Sequence, residues 1–331
     1  MAQVNDDDLQ IRALMARQKF AVALERFYFP LDRDEFVRPI RETADTYKSF
    51  AEAFASNLAA AISVAAMPYH LVENAVRQRR FQAVHSAQRI RSLMSEHKHM
   101  TDEERGRWAL ETAKDLFAEE VANDKRDAEI TPPGQFAGAV LSELIDSLHD
   151  PVFSESIDEL LRQCTVLCWG ALEVLVSDLF VAAVNSNPAL AGLVLQDART
   201  KRYYQPRDFG AVLEEHNYDL SSCMGDILIS QHRVDDVESI RSVFGVLFSS
   251  NEAIRLILCD EKLWRLSQDR NLIVHRRAVV DRKYISNTGS PHALGTRLRI
   301  SPDLFESYLV YVREAGTIIL SGFSVCEVHD S

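Results

Sequence analysis

The sequence predicts an all-α protein, because helical patterns are long and turn-forming residues are few. Only 12 of the 331 residues are Gly and 10 are Pro, which argues against a loop-rich β fold. Hydrophobic residues make up 47% of the chain and aromatic residues 8%, as is usual for a folded soluble protein. A chain of this length can bury a full core and form two domains.

Three helices are predicted in the N-terminal part. The first covers residues 34–67, where a proline follows, and the second covers 71–97. The third covers 101–123, and it opens with Thr101 and Glu104 at the spacing of a capping box. A basic face on the second helix should pair with acidic residues of the third, with RNA binding as the alternative. The residues of this face are Arg77, Arg79, Arg80, Arg89 and Arg91.

The clearest break in the chain is the sequence Thr-Pro-Pro-Gly at residues 131–134. It predicts a helical N-terminal domain of unknown role, residues 1–130, and a C-terminal helical bundle, residues 134–331. The N-terminus lacks the basic and apolar run of a signal peptide, so we expect a cytoplasmic protein.

Residues 164–184 are apolar almost all round, which predicts a buried helix. Its length approaches that of a membrane span, but Glu173 and Asp178 argue against one, because carboxylates at bilayer depth are costly. In a soluble core such a carboxylate needs a partner. Cys164 and Cys168 lie on the same helix, where core packing is the expected role rather than metal binding or a disulfide.

Three more elements are predicted towards the C-terminus. Residues 261–275 have a helical pattern, and residues 282–289 with 295–300 are expected to form a small β-hairpin. A last amphipathic helix covers 301–323. The predicted C-terminal architecture is therefore a helical bundle with a β-hairpin before its last helix.

The helix over 261–275 carries the clearest chemistry, in Arg270, Asn271 and His275. Arg is a permanent cation that can bind phosphate in a bidentate manner, and His titrates near neutral pH. Cleavage of an RNA phosphodiester requires that the 2′-hydroxyl lose a proton and that the leaving 5′-oxygen gain one. It also requires stabilisation of the charge that builds on the phosphate. The three side chains offer groups of these kinds.

The spacing alone is weak evidence for a site. Arg80 and His85 have the same spacing, and such pairs usually lie on a solvated helix face. Residues five apart point about 140° apart on an ideal helix. Arg270 must therefore reach round to approach His275.

The order of these elements resembles the HEPN superfamily (higher eukaryotes and prokaryotes nucleotide-binding). Its members are helical bundles with an acidic residue on an early buried helix and Arg, a polar residue and His on a late one. Residues 169–173, Trp-Gly-Ala-Leu-Glu, are similar to the early helix, and residues 270–275, Arg-Asn-x-x-x-His, to the late helix. The resemblance covers residues 135–325, within which the segment 186–258 is longer than a minimal bundle needs.

The resemblance implies a metal-independent endoribonuclease that uses no cofactor, such as a toxin or phage-defence effector. His275 would act on the 2′-hydroxyl or the leaving oxygen, and Arg270 would hold the phosphate. Asn271 would orient phosphate or water, and Glu173 would position Arg270. Family members usually dimerise so that two Arg/His sets face one cleft. The implied partners are RNA, a second copy of the chain and an antitoxin or regulatory protein, with no membrane.

The charge distribution bears on an RNA partner. The net charge is −12, which opposes a nucleic-acid ligand, but residues 262–299 hold nine Lys or Arg against two Asp. This segment is therefore +7, and the rest of the chain is −19. These cations either form a phosphate-binding surface or only solvate a helix end and a hairpin. The candidate phosphate-binding residues are Arg276, Arg277, Arg282 and Lys283.

Two other functions stay open. The same bundle could be a non-catalytic module that binds a nucleotide, RNA or a partner protein, because Arg270 and His275 serve binding as well as catalysis. Alternatively, Asn271 and His275 could cap a helix end in a purely structural bundle. The sequence has no Gly-x-x-x-x-Gly-Lys loop, no Gly-x-Gly-x-x-Gly and no Gly-x-Ser-x-Gly, which excludes three common enzyme classes. His and Cys residues at metal-ligand spacing are missing too, so no metal site is predicted.

Overall fold

A computed structural model describes residues 32–43, 47–94, 97, 99–130, 135–206 and 208–326. These ranges contain helices and no strand of a sheet, so the predicted all-α class is confirmed. The helices are α1 (Arg33–Thr43), α2 (Lys48–Ala65), α3 (Met67–Arg91), α4 (Asp102–Ile130), α5 (Gln135–Ser147), α6 (Pro151–Ser186), α7 (Ala189–Gln196), α8 (Lys201–Tyr204), α9 (Phe209–Glu215), α10 (Met224–Gln231), α11 (Val237–Leu247), α12 (Glu252–Cys259), α13 (Glu261–Arg276), α14 (Arg282–Thr288) and α15 (Pro302–Cys326).

The described residues divide into two compact units. One contains residues 66–157, and the other contains residues 32–65 together with 158–326. The predicted domain boundary at 131–134 lies outside the described residues. The division into units does not follow this break, because α1 and α2 pack against α15.

The smaller unit is built on α3, which packs against both α4 and α5. Arg80 forms ion pairs with Glu120 at 3.1 Å and Asp124 at 3.4 Å, both on α4. Arg79 pairs with Glu143 on α5 instead. Arg80 therefore pairs with the helix that was expected to supply the acidic partners, whereas the partner of Arg79 lies on α5, which was not expected.

The N-terminal helices differ from the prediction in their bounds. The helix predicted over 34–67 is two helices, and the residues between them, 44–46, lie outside the described part. Pro68 does not end a helix but lies in the first turn of α3. A proline is compatible with that position, because the first backbone N–H groups of a helix have no partner within it. The predicted capping box of α4 is present, since Thr101 and Glu104 each bind the other's backbone N–H.

The predicted β-hairpin is wrong in its first strand. Residues 282–288 form the helix α14. The Asp281 side chain starts it by accepting a hydrogen bond from the Tyr284 backbone N–H at 2.7 Å, and Gly289 ends it with φ 60°. The extended pairing in this region is a single bridge between Val279 and Arg297.

The core of the larger unit includes residues of α2, α6 and α15, among them Phe54, Phe180 and Tyr308, which are fully buried. Gly316 lets α15 approach α2 closely, because a Cβ at this position would overlap the Phe54 ring. The same Cβ would lie 3.1 Å from the side chain of Leu175, so α6 packs close to α15 two residues after Glu173.

Within the described ranges, α6 is long and apolar enough to cross a membrane by length and composition. The helices α2 and α3 would together also be long and apolar enough if they were counted as one span. Half of the most apolar window of α6 is buried against the protein. Cys164 and Cys168 are buried on it as free thiols.

Candidate functional site

The helix α13 presents the segment from Arg270 to His275. Its first turn is capped by Asp260, whose side chain accepts a hydrogen bond from the backbone N–H of Lys262 at 2.7 Å. One face of α13 is apolar and buried, and this burial determines which way the other faces of the helix point. The buried apolar residues of this face are Leu263, Leu266, Leu272 and Ile273.

The end of α13 uses an uncommon backbone conformation. Arg277 and Ala278 have φ angles of 51° and 61°. The Ala278 N–H binds the carbonyl oxygen of Leu272 at 3.0 Å and closes the helix. Residues other than Gly adopt such angles at a cost of about 1–2 kcal/mol each. The surrounding packing must therefore hold this turn, as Ala278 is buried.

Glu173 and Arg270 meet across α6 and α13, as expected. The Nη2 of Arg270 lies 3.5 Å from Oε2 of Glu173, and both side chains keep about a quarter to a third of their surface exposed (25% and 30%). Trp169, one turn earlier on α6, donates its indole N–H to the same oxygen at 2.9 Å. The carboxylate is thus held by two donors, and its second oxygen is left for other contacts.

The Arg270 side chain also contacts its neighbour. Its Nη1 donates to Oδ1 of Asn271 at 3.1 Å. Its Nε is buried and has no hydrogen-bond partner among the described residues. Glu173, Arg270 and Asn271 therefore form one cluster, which we call the arginine cluster, in which the buried Nε of Arg270 has no described partner.

Burial raises the pKa of Glu173 above its ordinary value. Arg270 and the Trp169 hydrogen bond lower the pKa, but they do not offset the loss of solvent. Asp235 raises it further, and Arg233 lowers it. A cavity of about 740 Å³ lies beside Glu173, lined by α6 and by residues 229–235.

His275 is not part of the arginine cluster. It is exposed, and no hydrogen bond or ion pair joins it to another described residue. The angular separation between Arg270 and His275 on the helix accounts for this. Within one chain the structure brings together Glu173, Arg270 and Asn271, and it does not bring His275 to them.

The candidate phosphate-binding residues surround the C-terminal end of α13. Arg276 forms one exposed ion pair with Asp281 at 3.5 Å. Arg277, Arg282 and Lys283 are exposed, and no ion pair is present for them in the described part of the chain. We call these four residues the basic surface.

A buried network next to the motif was missed from the sequence. Asp269 is completely buried, and it accepts hydrogen bonds from the hydroxyls of Tyr284 and Tyr308, each at 2.7 Å. Arg265 lies one turn before it and completes the set, with Nε 3.2 Å from the carboxylate. Asp269 therefore links α13 to α14 and α15.

A sequence signal for this network existed. Leu266, Asp269 and Ile273 are spaced as one helix face, so Asp269 falls among core residues. A carboxylate at such a position needs donors, and Arg265 stands four residues before it. The two tyrosines could not be inferred, since their elements had first to be placed.

No group of three or more His, Cys, Asp or Glu side chains among the described residues is arranged to hold a metal ion. Protein-family models, curated proteins and solved structures were compared with this chain, and none of them matches it.

Proposed function

We propose that this protein is a metal-independent endoribonuclease of the HEPN type that acts as a toxin or phage-defence effector. The observation that carries the proposal is the contact between Arg270 and Glu173. It joins the early buried helix to the late motif helix, as the resemblance implies. The Arg270 side chain is 25% exposed, so a phosphate could bind the accessible part of its guanidinium group.

The proposed reaction transfers a phosphoester bond within the RNA. The 2′-oxygen attacks the neighbouring phosphorus, and the bond from phosphorus to the 5′-oxygen breaks. One proton leaves the 2′-hydroxyl and another is added to the 5′-oxygen, giving a 2′,3′-cyclic phosphate and a 5′-hydroxyl. Arg270 stabilises the charge on the phosphate, Glu173 holds Arg270, Asn271 orients the phosphate or water, and His275 transfers one proton.

The basic surface supports RNA as the substrate. Its exposed cations lie directly after His275 on the chain, so a strand passing His275 would meet them. These contacts would be independent of RNA sequence, because arginine and lysine would bind the phosphates.

A homodimer would supply what one chain does not bring together. Val274 stands next to His275, and its side chain is 46% exposed, whereas Leu272 and Ile273 are buried in the core. A two-fold contact across this exposed position would place two His275 side chains in one cleft, one as base and one as acid.

The dimer is tested with a matched pair of substitutions. Val274→Asp should convert a dimer at tens of micromolar into a monomer, measured by light scattering, and should abolish cleavage. Leu256→Asp is the control, because Leu256 is also exposed, at 62%, but lies on α12. A wild-type monomer that cleaves RNA would contradict the dimer.

A non-catalytic RNA-binding or nucleotide-binding module is the second candidate. The position of His275 favours it, since no described contact joins this side chain to the arginine cluster. Binding of phosphate by Arg270 and the basic surface requires no proton transfer. Partners of such a module would include a regulatory protein such as an antitoxin.

The decisive experiment incubates labelled RNA with the purified protein in excess EDTA. Cleavage should leave a cyclic or 3′-phosphate and a 5′-hydroxyl, DNA should survive, and His275→Ala should slow cleavage by about 10²–10⁴-fold. His85→Ala is the control, because His85 has the same spacing from Arg80 but Arg80 is paired with α4. A requirement for Mg²⁺, or cleavage of DNA, would contradict the mechanism. RNA binding without cleavage would favour the second candidate.

A further inference from the structure

A cavity distant in sequence from the motif combines cations with an apolar floor. It has a volume of about 550 Å³ and lies between α11 and α12, with the turn after α7 at its edge. Its size is within the range of about 300–1,000 Å³ that is typical of small-molecule sites. No Asp or Glu is among the residues that line it.

The floor of this cavity is apolar. Phe244 and Phe248 come from α11 and the turn after it, and Ile254 and Leu258 come from α12. All four are at least 95% buried in the protein, so their positions are fixed by the core. They form a rigid apolar base beneath the cavity, with little surface of their own left accessible.

Three arginines surround the floor, and Arg241 is the least neutralised. Its Nε donates to the carbonyl oxygen of Leu258 at 2.6 Å, and its Nη2 donates to that of Asp260 at 3.3 Å. No carboxylate lies within ion-pair distance of it among the described residues. Two backbone carbonyl oxygens hold the guanidinium in place, and it forms no ion pair among the described residues.

Arg199 and Arg255 are partly neutralised from outside the cavity. Arg199 forms two hydrogen bonds of 2.9 Å with Asp197 through Nε and Nη2. Its Nη1 extends over Gly245, 3.9 Å from where a Cβ would lie. Arg255 has one exposed pair with Glu252 at 3.7 Å, and exposed pairs of this kind contribute little.

We propose that this cavity binds a small phosphorylated organic molecule. The phosphate would lie on Arg241 and the free edge of Arg199, because guanidinium groups bind phosphate oxygens through paired hydrogen bonds. The organic part would fill the rest of the cavity beside Cys259, which is exposed. The proposal does not depend on ribonuclease activity.

The test measures binding of AMP by calorimetry, since AMP joins one phosphate to one flat ring. Adenosine and inorganic phosphate are the comparison ligands. AMP should bind in the millimolar range or tighter, and each comparison ligand at least about tenfold more weakly. Failure of AMP to bind at several millimolar, or equal binding of inorganic phosphate, would overturn the proposal.

Two variants locate the site. Gly245→Leu fills the cavity mouth, where a new Cβ meets only Arg199, and should weaken AMP binding by at least about tenfold. Gly192→Leu is the control, because Gly192 is a helical glycine with equal space and lies outside the cavity. Arg241→Gln tests the charge while keeping a donor for the Leu258 carbonyl. If Gly245→Leu does not fold, the Arg241→Gln variant alone decides whether AMP binds in this cavity. Unchanged AMP binding in Arg241→Gln would show that the ligand binds elsewhere.

Discussion

Removal of the buried Asp269 carboxylate should cost the larger unit much of its stability. Asp269→Ala takes the acceptor from two tyrosine hydroxyls at 2.7 Å and from Arg265 at 3.2 Å. Tyr284 and Tyr308 are at least 97% buried, so water cannot replace the lost acceptor. Each buried hydroxyl left without an acceptor costs about 1–3 kcal/mol, so the two together should cost about 2–6 kcal/mol.

Two milder substitutions provide a scale for the cost of Asp269→Ala. Tyr308→Phe removes one hydrogen bond and leaves the carboxylate with its other donors, so it should cost only about 1–2 kcal/mol. Asp303→Ala removes an exposed carboxylate from the first turn of α15, and it should cost less than about 1 kcal/mol.

The measurement is urea unfolding at neutral pH, followed by tryptophan fluorescence. Trp169 and Trp264 lie in the same unit as Asp269, whereas Trp108 lies in the other unit. Trp108 is therefore replaced by Phe in every protein compared, so that the signal reports on the unit that contains Asp269. If Asp269→Ala unfolds within about 1 kcal/mol of the wild type, the carboxylate is not the link between these helices. An Asp269→Ala cost no larger than that of Tyr308→Phe would lead to the same conclusion.

Two further predictions concern the core and the arginine cluster. Burial raises the pKa of Glu173, so protonation of this carboxyl stabilises the folded protein. This stabilisation is complete below the ordinary pKa of about 4.3, and it is lost as the pH rises through the higher pKa of the folded protein. Urea unfolding at a series of pH values should therefore show wild type losing stability relative to Glu173→Gln as pH rises; the opposite trend would mean that Arg270 outweighs burial. Gly316→Ala would overlap the Phe54 ring and should cost about 1–3 kcal/mol. Gly170→Ala meets nothing within 4 Å and should stabilise by about 0.5–1 kcal/mol, so equal thermal midpoints for the two variants would refute the packing argument.

The sequence determined the elements whose signals are local. The Thr101 and Glu104 spacing predicted the start of α4, and both of its hydrogen bonds form within three residues. The pattern over 261–275 predicted α13 to within one residue. The β-hairpin prediction failed where a local signal was overlooked, since Asp281 is the N-cap of α14.

The arginine cluster was predictable only in part. An acidic side chain on an apolar helix must have a partner, and by this requirement the sequence alone indicates both Glu173 and Asp178. The resemblance named Arg270 as that partner, 97 residues away, and the 3.5 Å contact agrees. Its partial exposure depends on how α6 and α13 pack, so the energy of the pair could not be read from the sequence.

Helical spacing places Asp269 on the apolar face of α13, but only the tertiary structure decided which groups surround Asp269 and His275. Asp269 is held by α14 and α15, whereas His275 stands exposed on the same helix. Hydrogen bonds that close within a turn are determined by residue type and spacing. Contacts between helices that are far apart in the chain depend on the packing of the whole core. No short stretch of sequence contains enough information to predict them.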